Sequence, residues 1–150
     1  MSMLGVSKIS FNNSDYNPFQ YLGEDHFEKF DNGLTKIAVG ADGALFAINS
    51  EGTTFTDHQG KGWHSVNKKL KLISLSSADM VMGVDNNNKL YRYVGVSKWV
   101  EVLFNDISGK IIDENIVDIS VSSTNDMHIV TDGDGDSTLY RYIPLNIPSN

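Results

Sequence analysis

Three groups of residues in this chain have the types and spacing to do chemistry. Asp132-Gly133-Asp134-Gly135-Asp136-Ser137 places a carboxylate at every second position, the spacing with which a flexible turn offers several hard oxygens to calcium. Asp132, Asp134 and Asp136 are thus the candidate ligands of a calcium ion. Ser137 stands where an EF-hand loop has its sharp-turn glycine and Ile143 where it has its bidentate glutamate, so the competing reading is a solvated Gly-Asp turn. Trp63 and Trp99 are the largest apolar side chains, and an aromatic plate at a sheet rim stacks on the apolar face of a sugar ring. Asn86, Asn87 and Asn88 supply amides for its hydroxyls, and His64, beside Trp63, is a candidate for the same rim. The competing reading of both tryptophans is repeat core, wedged between neighbouring sheets.

Other chemistries are excluded or unsupported. The chain has no cysteine, which removes disulfides, thiolate metal sites and cysteine nucleophiles. His26, His58, His64 and His128 are scattered, without a pair at metal-ligand spacing. No G-x-S-x-G elbow, P-loop or G-x-G-x-x-G occurs. The serines of Ile73-Ser74-Leu75-Ser76-Ser77 and Ile119-Ser120-Val121-Ser122-Ser123 recur as a set, so their cause is structural. Catalysis is not indicated, and no cofactor is expected apart from the calcium above. A net charge of -7 and a pI of about 4.9 repel phosphate backbones and anionic bilayers, which argues against nucleic acid. No stretch approaches the ~20 apolar residues that cross a bilayer, and Met1 to Phe11 lacks a signal-peptide pattern. The expectation is a soluble cytoplasmic protein, with release by a route that needs no signal peptide as the other possibility.

The elements that must position these residues are short strands. Leu70 to Val102 contains the apolar runs Ile73 to Leu75, Met80 to Val84, Leu90 to Val94 and Trp99 to Val102, separated by Asp79, Asp85 to Asn88 and Gly95 to Lys98. That pattern predicts four antiparallel strands in a meander. The unit recurs: Ile37 and Ile73, Phe55 and Tyr91, and Trp63 and Trp99 each lie 36 residues apart. Leu139-Tyr140-Arg141-Tyr142 copies Leu90-Tyr91-Arg92-Tyr93 residue for residue, and Ile119 follows Ile73 by 46 residues, which makes Leu103 to Asn115 an insertion read as a surface loop. The chain then divides into a partial first repeat, 1–33, and repeats 34–69, 70–115 and 116–150 within a single repeat domain. In the first of these, Phe27 to Phe30 is expected as an orphan outer strand, the inner strand missing or unrecognisable. In the last, Pro144 and Pro148 argue against an outer strand.

The period near 36, the inner strands of type I-x-V or I-S-L, Met82-Gly83-Val84-Asp85 through Leu90-Tyr91-Arg92, and the outer strands Trp63-x-x-Val66 and Trp99-x-x-Val102 together resemble the tectonin repeat of tectonins and tachylectin-like proteins. The resemblance runs from about Phe19 to Tyr142. It implies an all-β chain, a β-propeller built of four-stranded repeats with about three blades per chain, and carbohydrate binding. Propellers close with about 4–8 blades, so the expectation is a homodimer of six blades in which each N-terminal outer strand completes the partner's last blade. The alternative fold is a β-trefoil, which also uses three four-stranded repeats in a chain of this length. The alternative function is a protein-interaction scaffold without sugar binding, using Leu103, Phe104 and Ile107 of the insertion.

Overall fold

The computed structural model describes residues 4–8, 16–21, 27–29, 33–57, 62–133 and 135–142. Every helix or strand among them is a β-strand. β1 (Leu4–Lys8), β2 (Tyr16–Tyr21) and β3 (Phe27–Lys29) form a three-stranded sheet. β4 (Leu34–Val39), β5 (Leu45–Asn49), β6 (Thr53–Asp57) and β7 (Trp63–Lys69) form a four-stranded one. β8 (Leu72–Ser77), β9 (Met80–Val84), β10 (Leu90–Gly95) and β11 (Lys98–Val102) form the next. β12 (Asn115–Val121), β13 (Met127–Gly133) and β14 (Asp136–Arg141) form the last, again three-stranded.

Each sheet is an antiparallel meander of consecutive strands, and among the described residues no ladder joins two sheets. The sheets meet in series instead: β1 and β2 lie against β4, β4 against β8, and β8 against β12. This is the arrangement of propeller blades stacked by their innermost strands, and it rules out the trefoil alternative. The four-stranded sheets are two complete blades. At the N-terminal end the expectation needs correction: Phe27 to Lys29 is not a left-over strand, because β3 pairs with β2 from Phe19↔Lys29 to Tyr21↔Phe27, and β2 pairs in turn with β1.

Alternation decides what each blade buries. In β9 Val81, Met82, Gly83 and Val84 are all buried, because the strand is covered on both faces. Val81 joins Phe46, Val66 and Leu75 in the core between the second and third sheets, while Met82, Val84 and Leu90 join Ile119, Met127 and Ile129 in the core between the third and the last. A continuous apolar run is the signature of a strand buried on both sides.

Four of the hairpins among the described residues are closed by one recurring turn. Its first residue is Asn49, Asp85, Asp106 or Ser122, whose side-chain oxygen accepts the N–H groups two and four residues ahead. Its fourth residue is Gly52, Asn88, Gly109 or Asn125, each at positive φ, where glycine and asparagine are the tolerated types. The insertion Leu103 to Asn115 uses this turn at Asp106, with Asn105 bridged to Ile111, so it is a short stub hairpin rather than an irregular loop.

Gly83 carries a packing constraint of its own. A Cβ at this position would collide with Leu70 Cδ1, and Leu70 is only 1% exposed, so the leucine has nowhere to retreat. Gly83→Ala is expected to cost about 1–3 kcal/mol through overpacking, read by urea unfolding. Adding Leu70→Ala should make the Gly83→Ala step close to neutral in the double variant, and full additivity of the two losses would show that the clash is not their cause.

Candidate functional site

Successive sheets are tied together at two levels. At one end, the fourth residue of a hairpin turn receives the first residue of the next repeat: Leu70 N–H donates to Gly52 C=O at 2.9 Å, and Ile116 N–H donates to Asn88 Oδ1 at 3.1 Å. Leu34, Leu70 and Ile116, the opening residues of the three repeats, are all buried. At the other end, Ala41 N–H donates to Ser76 C=O at 2.8 Å, Ala78 N–H to Asp42 Oδ2 at 3.0 Å, and Ser76 Oγ–H to Asn125 Oδ1 at 2.6 Å. Between the two levels Val121 N–H donates to Ser74 Oγ at 2.9 Å. The recurring serines of the innermost strands thus have a role: Ser74 lets the next blade approach and accepts its amide.

A cleft of about 270 Å³ opens at the first of these levels, between the second and third sheets. Its rim carries Lys36 from β4, Ser50 and Glu51 from the Asn49 turn, Lys71 from the connection into β8, and Asn86 from the Asp85 turn. Lys36 Nζ donates to Lys71 C=O at 2.8 Å. Lys71 Nζ donates to Asn88 Oδ1 at 2.6 Å and Asn115 Oδ1 at 3.0 Å. Burial lowers the Lys71 ammonium below the ordinary lysine value, and Lys36 adds to this, against the opposing pull of Asp85. The Glu51 carboxylate and the Asn86 amide make no side-chain hydrogen bond among the described residues. The cleft therefore offers a carboxylate, an amide, a serine hydroxyl and two cations, with no aromatic wall.

Of the ligand residues expected from sequence, only Asn86 lines this cleft. Asn87 is exposed on the same turn, its N–H held by Asp85 Oδ1. Asn88 is half-buried, and its side-chain oxygen is taken by Lys71 and Ile116. Trp99 lies between blades: its Nε1–H donates to Val66 C=O at 3.0 Å, its ring lies 5.0 Å from Tyr93, and it packs against the Phe46, Val66, Leu75 and Val81 core. Trp63 occupies the equivalent place on β7, half-buried, and His64 beside it is exposed. The tryptophans and the cleft thus lie apart in the fold. Thr35, Lys36, Glu51 and Lys71 carry no pattern that sequence reading could have singled out, because the repeat-to-repeat packing alone brings them together.

The acidic run closes a tight hairpin. β13 extends to Gly133 and β14 begins at Asp136, with Asp132 opposite Ser137 and Gly133 opposite Asp136. Alternation then puts Asp132 and Asp136 on opposite faces of the hairpin. Asp134 lies outside the described residues. No group of three or more His, Cys, Asp or Glu among the described residues is placed to hold a metal ion.

Beside this hairpin, Glu114 clamps the insertion to the last sheet. Its carboxylate accepts hydrogen bonds from Thr131 Oγ1 and from Tyr140 Oη at 2.9 Å, and Phe104 meets the Tyr140 ring edge-on at 5.4 Å. Phe104 therefore packs inward, against the core between the third and last sheets, while Leu103, Ile107 and Ile111 remain exposed.

With this geometry in view, the comparison with known families is unambiguous. The family model of the tectonin domain matches residues 3–137, and the chain belongs to the tectonin family, a β-propeller type of lectin-like proteins. No curated protein matches the chain closely enough to count as a relative. No helix among the described residues is long and apolar enough to cross a membrane.

Two predictions follow from these contacts. Asn88→Gly keeps the positive-φ turn cheap but removes the acceptor of Ile116 N–H and Lys71, so it should lose about 1–3 kcal/mol in denaturant unfolding; an unchanged midpoint would show that this junction bond contributes nothing. The hydrogen bond to Glu114, with burial and the Glu114 charge behind it, raises the Tyr140 phenol above its ordinary 10.0. A raised folded value means the bond's stabilisation is complete below the unfolded phenol's range and fades as pH climbs through the folded one. Ultraviolet titration should show late tyrosinate formation that Tyr140→Phe diminishes, and an identical alkaline curve for the variant would refute the assignment.

Proposed function

We propose that this protein is a carbohydrate-binding propeller of the lectin type, and that glycans enter the cleft between adjacent blades. The observation that supports this reading is the polar rim of the cleft in a chain of lectin-like family. Sugars are recognised by planar amide and carboxylate groups that bond neighbouring hydroxyls in pairs, and Asn86 and Glu51 hold both kinds of group open to the cleft. Family membership points to binding rather than turnover. Trp99 serves in this reading as the wedge that sets blade spacing, and the glycan is held by polar groups rather than by stacking. Affinity at one such site is weak, and repeated sites on an oligomer or a dense glycan surface raise it through multivalency.

A glycan array, run with and without calcium, identifies the ligand, and amide-resolved NMR titration then places it. Shifts centred on Ser50, Glu51, Lys71 and Asn86 are expected, with binding weakened at least tenfold by Glu51→Ala combined with Asn86→Ala while the thermal midpoint is unchanged. A blank array under both conditions would sink the reading. Shifts centred on Trp63 and His64 would move the site to the rim of β7, and binding that requires calcium would return attention to Asp132, Asp134 and Asp136.

A second reading is favoured by one observation: Ile107 is fully exposed, and Leu103 and Ile111 are 74% and 69% exposed on the same stub hairpin. Such a tip suits a protein partner. Ile107→Asp with Leu103→Asp should then abolish partner capture without touching glycan binding.

A further inference from the structure

The blades of this chain use the same strand positions to meet the blade that follows. On the third sheet these are Ser74, Met82, Val84 and Leu90. Met82, Val84 and Leu90 are 2%, 0% and 2% exposed beneath the last sheet, and Ser74 Oγ accepts the amide of Val121. On the second sheet Phe46 and Ile48 occupy the places of Met82 and Val84 and are 3% and 2% exposed. Strand pairing fixes the equivalent residues on the last sheet. Ile119 stands opposite Ile129 and Ile129 opposite Tyr140, as Ile73 stands opposite Gly83 and Gly83 opposite Tyr91. The corresponding positions are therefore Ser120, His128, Val130 and Leu139.

This last set faces away from the chain. Leu139 is 66% exposed where Leu90 is 2%, Ser120 is exposed, and His128 and Val130 are only half-buried. The last sheet thus presents a blade-to-blade surface on which, among the described residues, no blade packs. The other end of the arc is in the complementary position, because among the described residues the first sheet meets its neighbour through β1 and β2 against β4. Among the described residues, no contact comparable to those between successive sheets joins the first sheet to the last.

We propose that a second copy of this chain covers the Ser120, His128, Val130 and Leu139 face with its first sheet. A two-fold arrangement makes that contact twice, so that all four ends of the two arcs are covered at once. Two copies bring eight sheets, within the ~4–8 blades of closed propellers, where the sequence alone led to six. Pairing of two last sheets with each other would cover one end of each chain and leave both first sheets bare. The proposal stands independently of sugar binding.

Light scattering on a sizing column, over a wide concentration range, tests it. The unmodified chain should run at about twice 16.6 kDa with a mass independent of concentration. Leu139→Glu should halve that mass while leaving the far-ultraviolet circular dichroism unchanged, since the exposed leucine contributes little to the fold of its own chain. Ile107→Asp, on the exposed tip of the insertion, should remain dimeric. A monomer at all concentrations, a mass that climbs steadily with concentration, or a Leu139→Glu variant that stays dimeric and folded would each overturn the proposal. Leu139→Cys supplies the only thiol in the chain; a spontaneous disulfide between two such residues would show last sheet against last sheet, and would overturn it as well.

Discussion

The structure depends on one recurring hydrogen bond, from the first amide of a repeat to the fourth residue of a turn in the sheet before it. Leu70 N–H on Gly52 and Ile116 N–H on Asn88 are the two clear cases. A four-stranded meander has two faces to cover and cannot stand alone in water. The bond fixes where the next sheet starts, and the opening leucine or isoleucine enters the core beneath it. The identity of the turn residue follows from its backbone: only glycine or asparagine adopts positive φ there without strain, and each brings its own acceptor. Gly52 offers its carbonyl because it has no side chain, and Asn88 offers its amide oxygen because it has one.

The candidate site is a by-product of the same junction. The turn that receives Leu70 also carries Ser50 and Glu51, and the connection that follows Leu70 carries Lys71. Lys71 in turn is held by Asn88 and Asn115 at the next junction. Ligand chemistry and blade spacing are therefore coupled through a few adjacent residues. A substitution at Asn88 shifts Lys71 as well as Ile116, whereas Glu51 and Asn86 point outward and are free to change without loss of the fold. This separates the residues that hold the cleft open from those that contact what enters it.

Much of the fold was legible in the sequence, because period-2 alternation and a 36-residue repeat are direct imprints of a blade. Leu34, Leu70 and Ile116 are each buried at or beside the start of an innermost strand, and a residue buried at that place is constrained to be apolar in every copy. The N-terminal sheet was harder. Asn12 to Pro18 looks like a polar break, yet its last three residues open β2, where Pro18 stands opposite Val6. The site was hardest of all. Aromatic side chains attract attention as sugar platforms, but Trp99 is spent on packing and on the Val66 carbonyl. Asn88 reads as a polar ligand group, and its conformation shows a turn residue with its oxygen already committed. Lys36, Glu51 and Lys71 are distant in sequence and ordinary in type, and only the stacking of one sheet on the next gathers them.

The central claim is that the junction bonds make the sheets one cooperative unit rather than a string of separate meanders. Native-state hydrogen exchange at the amides of Leu70, Ile116 and Val121 tests it most directly. The account predicts that all three exchange only with global unfolding, at the same free energy as the central amides of β5 and β9. Exchange of these three at the rate of exposed turn amides, while β5 and β9 stay protected, would mean that each sheet opens on its own, and would contradict it.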